Sequence, residues 1–254
     1  MLKLLKAKRG AATSLADASR YIFGIEPPDH ALVWIEALEA IEAREFRQLC
    51  IVAPPGHAKS TYHSIIFPTW YLGLHPNDSI IGVTTTDPLG SLYHHTVADV
   101  IERNERFARV FPDVKPDIRR GWSRDGLFLQ GPKRRPASQK DASLVVIGAG
   151  GAIIGRRASG TIIDDAVDEA TARSETLLET RKTWIRRSVF SRLKPGAWRI
   201  VCGTLWTEDD VVDSAMRTGD YVVIHMEARS PNEHVAAKLW IPNGVAWRPS
   251  KAVG

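Results

Sequence analysis

Cysteine is nearly missing from this chain: 254 residues contain two, Cys50 and Cys202. Each lies inside an apolar run, so no disulfide framework organises the fold, and both read as small core residues in a reducing compartment. Long apolar runs are missing as well. No stretch approaches the ~20 apolar residues that a membrane-spanning helix needs, which argues against an integral membrane protein. The first nine residues are basic but lack the apolar run of a secretory signal. No internal repeat is visible. His63, His94 and His95 have no Cys or acidic partners at a spacing that would close a zinc site, and they read as structural or surface residues. With 44% hydrophobic and 25% charged residues the composition is that of a globular protein, and disorder is excluded as the main state. The length suits one large α/β domain.

What is present is an uneven charge. The whole chain carries a net +5, yet residues 115–140 alone hold eight basic residues against Asp117 and Asp125. Such a local basic surface suggests a polyanionic partner, DNA or RNA before membrane, although a solvated loop has the same composition.

Apolar spacing predicts a helix over 29–46 with Asp29 able to cap it, and a short strand over 48–53. A second helix is expected from Lys59 towards Leu74, bent at Pro68. Further strands are expected over 79–84, 143–147, 160–164, 198–203 and 221–225, with a weaker one over 127–130. Helices are expected over 87–109, 172–192 and 208–216. Strands that alternate with helices imply a mostly parallel sheet covered by helices on both faces. From Ser230 onwards no period is visible, as in a linker.

The most informative stretch is Ala53-Pro-Pro-Gly-His-Ala-Lys59-Ser60-Thr61, between a strand and a helix. Successive backbone N–H groups and a helix N-terminus together make an anion cradle at such a junction. Pro55, Gly56, His57, Ala58, Lys59, Ser60 and Thr61 are therefore the candidate nucleotide-binding residues. Lys59 would reach the β- and γ-phosphates and the Ser60 hydroxyl would bind Mg²⁺. In G-x-x-x-x-G-K-S/T both glycine positions are alanine here, Ala53 and Ala58. An alanine before the lysine must adopt a backbone geometry that glycine adopts at lower cost. An ordinary strand–turn–helix junction remains the competing reading.

A second motif follows about a hundred residues on. Thr161-Ile-Ile-Asp164-Asp165 is a β-branched run ending in two carboxylates. Asp164 would order the Mg²⁺ shell, and Asp165 would orient and polarise the attacking water. A strand–helix junction capped by Asp would look the same. A third element is Val201-Cys-Gly-Thr204-Leu-Trp-Thr-Glu-Asp-Asp210, in which Thr204 could sense the γ-phosphate, or Thr204 or Thr207 could simply start the next helix.

In order, these three motifs resemble the ATPase domain of the large terminase subunit of tailed bacteriophages and prophages. The similarity continues through Gly148-Ala-Gly-Gly-Ala-Ile-Ile-Gly155-Arg156, Ser174-Glu175 before a Trp184-bearing stretch, and Gly203-Thr-Leu-Trp-Thr-Glu-Asp-Asp210. It spans about residues 25 to 245. The departures, Ala58 and Asp165 (many such ATPases carry Glu there), bear on turnover more than on binding.

The resemblance implies an α/β P-loop NTPase of the additional-strand, RecA-like type that uses ATP and Mg²⁺. It implies a motor that self-associates into a ring, a pentamer, and moves double-stranded DNA into a procapsid. A portal protein and a small terminase subunit would be its partners, no membrane would be involved, and the cytoplasm of the infected bacterial host would be its location. Residues 1–25 would be an N-terminal extension, 26–228 the ATPase domain, and 229–254 a linker toward a C-terminal nuclease domain beyond this chain. Motors of this kind complete their site with an arginine from a neighbouring subunit; Arg156 and Arg157 are the candidates, and the resemblance favours Arg156. A surface arginine pairing with Asp168 or Glu169 is the alternative. Lys133, Arg134, Arg135 and Lys140 are the candidate contacts to DNA phosphates. Trp34, Trp184 and Trp206 read as core residues.

Overall fold

The computed structural model describes residues 2–133, 135–136, 138–153, 155–227 and 237–250, with the backbone alone for residues 2–4. The chain opens with α1 (Leu2–Thr13), α2 (Leu15–Ala18), a π-helical turn at Ser19–Phe23 and α3 (Asp29–Glu42), then enters β1 (Gln48–Val52). A second helical stretch is π-helical over Thr61–Ile66 and continues as α4 (Phe67–Leu74) into β2 (Ile80–Thr84). Then come α5 (Asp87–Arg103), α6 (Glu105–Val110) and four two-residue strands: β3 (Lys115–Pro116), β4 (Trp122–Ser123), β5 (Gly126–Leu127) and β6 (Leu129–Gln130). The remainder is β7 (Leu144–Gly148), β8 (Ala158–Asp164), α7 (Glu169–Ala172), α8 (Glu175–Trp184), β9 (Leu193–Gly203), α9 (Val211–Arg217), β10 (Val222–Met226) and β11 (Ala237–Trp240).

Nine strands form one sheet in the order β11-β10-β1-β9-β8-β2-β7-β5-β4. The six central strands, β10 through β7 in that order, are all parallel. In this sheet antiparallel pairing is confined to the two edges, β10 with β11 at one and β5 with both β7 and β4 at the other. Strand β9 lies between β1 and β8, an order compatible with the RecA-like arrangement that the resemblance implies.

Period-two alternation sends each strand's side chains to two separate cores. Leu49, Ile51, Ile162, Trp198 and Ile200 face the core built by α3, α4, α5 and α6, whereas Cys50, Val52, Ile163 and Val201 face the one built by α8 and α9. Helices therefore cover both faces, as central parallel strands require. Gly160 matters here because the ring of Trp198, fully buried, lies where a side chain would be; a Cβ at Gly160 would stand 2.1 Å from it.

Several boundaries differ from expectation. Pro28 rather than Asp29 precedes the first turn of α3, and that helix ends at Glu42. The helix over 87–109 breaks at Asn104, whose side chain accepts from the N–H groups of Arg106 and Phe107 and so starts α6. The expected helix over 172–192 is divided: Asp168 caps α7, Ser174 caps α8, and a π turn at Ile185–Val189 leads into a 3₁₀ turn. At Pro68 the helical stretch continues, with Pro68 in the first turn of α4. The helix before it widens, and the Phe67 N–H reaches the Tyr62 carbonyl five residues back. Leu127 to Gln130 is divided between two sheets. The last helix is capped by Asp210, not by Thr204 or Thr207; its buried carboxylate accepts from the N–H groups of Trp206, Val212 and Asp213.

The described parts of the expected extension and linker both pack on this body. Ala11, Leu15, Ala18 and Ile22 are buried in the α3-side core, with the Leu15 N–H on the Glu39 carboxylate. In the C-terminal stretch, β11 pairs with β10, and Trp247 is buried against Phe46 at 5.3 Å between rings. Of the three tryptophans read as core, Trp34 is fully buried, Trp184 is half-buried and Trp206 is exposed, since it sits in the loop after β9 rather than on a periodic face. Among the described residues, no helix is long and apolar enough to cross a membrane.

Candidate functional site

Ligands of open parallel sheets gather outside the carboxyl ends of the strands. Three neighbouring strands deliver their ends to one place here. β1 ends in residues 53–58, with helical backbone from residue 59; β8 ends in Asp164 and Asp165; β9 ends in Gly203 and Thr204.

Lys59, buried although charged, points its Nζ at Asp165 Oδ2, 2.9 Å away, and donates to Thr204 Oγ1 at 3.2 Å. Asp165 Oδ1 accepts from the Thr204 N–H at 2.9 Å, and its main-chain carbonyl accepts from the Thr85 hydroxyl. Lys59, Asp165 and Thr204 thus close a ring of three polar contacts that joins the ends of all three strands. Asp164 sits deeper, 1% exposed, and accepts from Ser60 Oγ at 3.1 Å, Ser64 Oγ at 2.6 Å and Cys202 Sγ at 3.4 Å. All three donors are neutral. Burial raises the Asp164 pKa, the neighbouring Asp165 pushes the same way, and these hydrogen bonds oppose the rise.

The loop backbone is bent unusually. Gly56 has φ +83°, which glycine accepts freely, but Ala58 has φ +58° and Asp165 φ +46°. A left-handed conformation costs a residue with a Cβ roughly 1–2 kcal/mol. Among the described residues four non-glycines adopt it, and two of the four belong to this site: Ala58, next to Lys59, and Asp165, the ion-pair partner of Lys59. Such conformations persist where the surroundings over-determine them and cluster at functional sites. The glycine missing from the sequence pattern therefore marks a real left-handed position, filled by alanine at a cost.

Of the residues expected to bind nucleotide, Pro55, Gly56 and Ala58 are exposed, His57 is half-buried, and Ser60 and Thr61 are half-buried on the helix that follows. The proposed metal ligands Ser60 and Asp164 touch each other, and Thr204 touches Lys59 and Asp165. Arg156 is elsewhere. It precedes β8, so it lies toward the opposite end of that strand from Asp164, and its Nη1 donates to the Asp125 carbonyl at 2.7 Å. Neither Asp168 nor Glu169 is its partner; Asp168 caps α7 and Glu169 pairs with Arg173.

The proposed DNA contacts need one correction. Arg135 is 6% exposed and both its Nη groups are turned inward: Nη2 meets the carbonyls of Pro76 at 2.8 Å and Asp78 at 3.3 Å and Ser143 Oγ, and Nη1 donates to the Asp141 carbonyl. It ties the loop to the starts of β2 and β7 and cannot serve a phosphate. Lys133 and Lys140 are exposed, and Arg134 lies outside the described residues.

Four site residues escaped the sequence reading: Ser64, Thr85, Tyr93 and Cys202. Ser64 had a signal, because it follows Ser60 by four residues and shares its helix face. Tyr93 is brought in from α5; burial and the Asp164 charge push its phenol up to about 12, against a hydrogen bond with Ser60. The chain is thus an α/β protein with helices on both faces of a mostly parallel sheet and a lysine–carboxylate–hydroxyl cluster at its carboxyl edge. No protein-family model matches the chain, and no curated protein matches it.

Proposed function

We propose that this chain is the Mg²⁺-dependent ATPase motor domain of a viral genome-packaging terminase large subunit, coupling ATP hydrolysis to the movement of double-stranded DNA into a procapsid. The observation that supports this most is the meeting of Lys59, Ser60, Asp164, Asp165 and Thr204 at adjacent strand ends. In this reading the sheet is the RecA-like core of a P-loop NTPase. The N–H groups of residues 56–60 receive the phosphates, and Lys59 exchanges Asp165 for phosphate oxygens.

Ser60 and Asp164 would hold Mg²⁺. The fit rests on Asp164, a buried carboxylate served only by neutral donors, whose charged form a divalent cation would favour. Among the described residues no group of three or more His, Cys, Asp or Glu could hold a metal, so the protein would supply a hydroxyl and one carboxylate. When bound, Mg²⁺ neutralises charge on the phosphate oxygens. Once released by Lys59, Asp165 is the group that orients the attacking water and takes its proton. Thr204, bonded to both Lys59 and Asp165, relays the loss of the γ-phosphate to the loop before α9. Arg156 of a neighbouring subunit would complete the site in a ring, which requires it to leave the Asp125 carbonyl. Portal protein and small terminase subunit would be the partners, DNA would contact Lys133 and Lys140, and the host cytoplasm would be the location.

A second reading is a nucleotide-responsive DNA-binding module that hydrolyses slowly in isolation. It is favoured by one detail: both Asp165 oxygens are engaged within the chain, by Lys59 and by the Thr204 N–H. ATPase assays test both readings. Lys59→Ala abolishes turnover, and Asp165→Asn binds ATP without cleaving it; normal hydrolysis by the Asp165→Asn protein removes that residue from the mechanism. A rate per subunit that rises with protein concentration favours a shared site. Strand displacement on a forked duplex would indicate a helicase fragment instead.

A further inference from the structure

Two carbonyls flank the left-handed residue Ala58, those of His57 and Lys59, and each meets a histidine. His30 Nε2, from the first turn of α3, lies 3.2 Å from the His57 oxygen. His63 Nδ1, from the helix after the loop, lies on the Lys59 oxygen. A carbonyl can only accept, so His30 carries its proton on Nε2 and His63 on Nδ1. The indole of Trp34 stands between the two imidazoles, 5.2 Å from the His30 ring and 5.5 Å from that of His63. His30 also meets the His57 ring edge-on at 5.4 Å. Trp34 and His63 are fully buried, so the stack is anchored in the α3-side core and reaches outward to the loop.

His30 thereby fixes the peptide group on the N-terminal side of Ala58, the Tyr62 N–H holds the Ala58 carbonyl on the other side at 3.3 Å, and His63 fixes the next peptide group, between Lys59 and Ser60, so that the bend is held from both ends. We propose that His30, Trp34 and His63 form a positioning clamp that holds the loop in its left-handed bend at Ala58, substituting for the permissiveness of glycine and presetting the loop N–H groups for phosphate. The phosphate half rests on the nucleotide reading above; the conformational half does not.

A clamp of this kind becomes dispensable once residue 58 bends unaided, so its signature is rescue. His30, half-buried, is the member to truncate, because its loss opens no core cavity. In the full chain, His30→Ala lowers MgATP affinity by roughly 10-fold in calorimetric titration, about 1.4 kcal/mol. In the Ala58→Gly background the same His30→Ala change lowers affinity by less than about 3-fold, the double variant being compared with the Ala58→Gly protein. His30→Gln, which keeps a donor, loses less than His30→Ala. The same cycle read by melting temperature and by amide exchange of residues 56–60 needs no nucleotide, and there too the His30→Ala loss shrinks in the Ala58→Gly background. Additive effects in both readouts overturn the clamp. A parent chain that binds no MgATP, with rescue still present in melting and exchange, overturns the nucleotide reading and keeps the clamp.

Discussion

Arg135 separates two roles that its sequence neighbourhood confuses. Its Nη groups meet buried or half-buried oxygens of Pro76, Asp78, Asp141 and Ser143, and its guanidinium lies 6.0 Å from the Phe128 ring. Each bond from a charged donor contributes about 1.5–3 kcal/mol, and desolvation of the guanidinium offsets much of the sum. Truncation also leaves the Asp141 carbonyl without this donor; the Pro76 carbonyl keeps Ser143 Oγ at 3.1 Å. Arg135→Ala should therefore destabilise the fold by about 3–5 kcal/mol. For a chain of this size that is a fall in melting temperature of about 10 °C. Arg135→Lys keeps the charge but not the fork and should recover only part of the loss. Circular dichroism melts read the stability, and fluorescence anisotropy on a random-sequence duplex at several salt concentrations reads DNA binding. Lys133→Gln with Lys140→Gln is the contrast: no change in melting, and a salt slope shallower by about 2, close to 0.9 for each phosphate no longer neutralised. An Arg135→Ala protein that melts like the parent yet binds duplex weakly would refute this account of the residue.

Two further predictions follow from buried groups. His94 is 1% exposed on α5, beside Arg124, His95, Arg156 and Asp125, and burial first, then the cationic neighbours, lowers its pKa from 6.5 to about 4. Between those values the unfolded chain binds a proton that the folded chain does not, so stability is full above pH 6.5 and falls as pH drops toward 4. The loss is about 3 kcal/mol. Denaturant titrations of His94→Leu across that window should show a flatter profile; an unchanged slope contradicts the assignment. Gly160→Ala places a methyl group where the Trp198 ring now lies, and should cost at least 1–3 kcal/mol through overpacking, measured by thermal unfolding.

Much of this protein was legible in its residue order because the signals are local. Apolar runs of five or so residues marked the six central strands, and the alternation within β1, β8 and β9 already encoded two opposed cores. Lys59-Ser60 after one strand and Asp164-Asp165 after another announced a site, since both motifs depend on strand ends meeting helix starts. Helix boundaries were less legible: Asn104 and Ser174 can continue a helix or cap one, and the choice depends on what their side chains find. The period of the C-terminal stretch was unreadable because β11 is an edge strand, short and half exposed.

Tertiary structure alone decided the rest. A run of basic residues carries no mark that distinguishes a solvated arginine from one like Arg135, which is spent on main-chain oxygens contributed by Pro76, Asp78 and Asp141. Strand order was likewise invisible, and only the insertion of β9 between β1 and β8 brings Thr204 beside Lys59 and Asp165. The sequence determined which residues carry the charge and hydroxyl groups; the packing of distant segments determined which of them meet, because hydrogen bonds and ion pairs act over a few ångströms and the chain separations involved exceed a hundred residues.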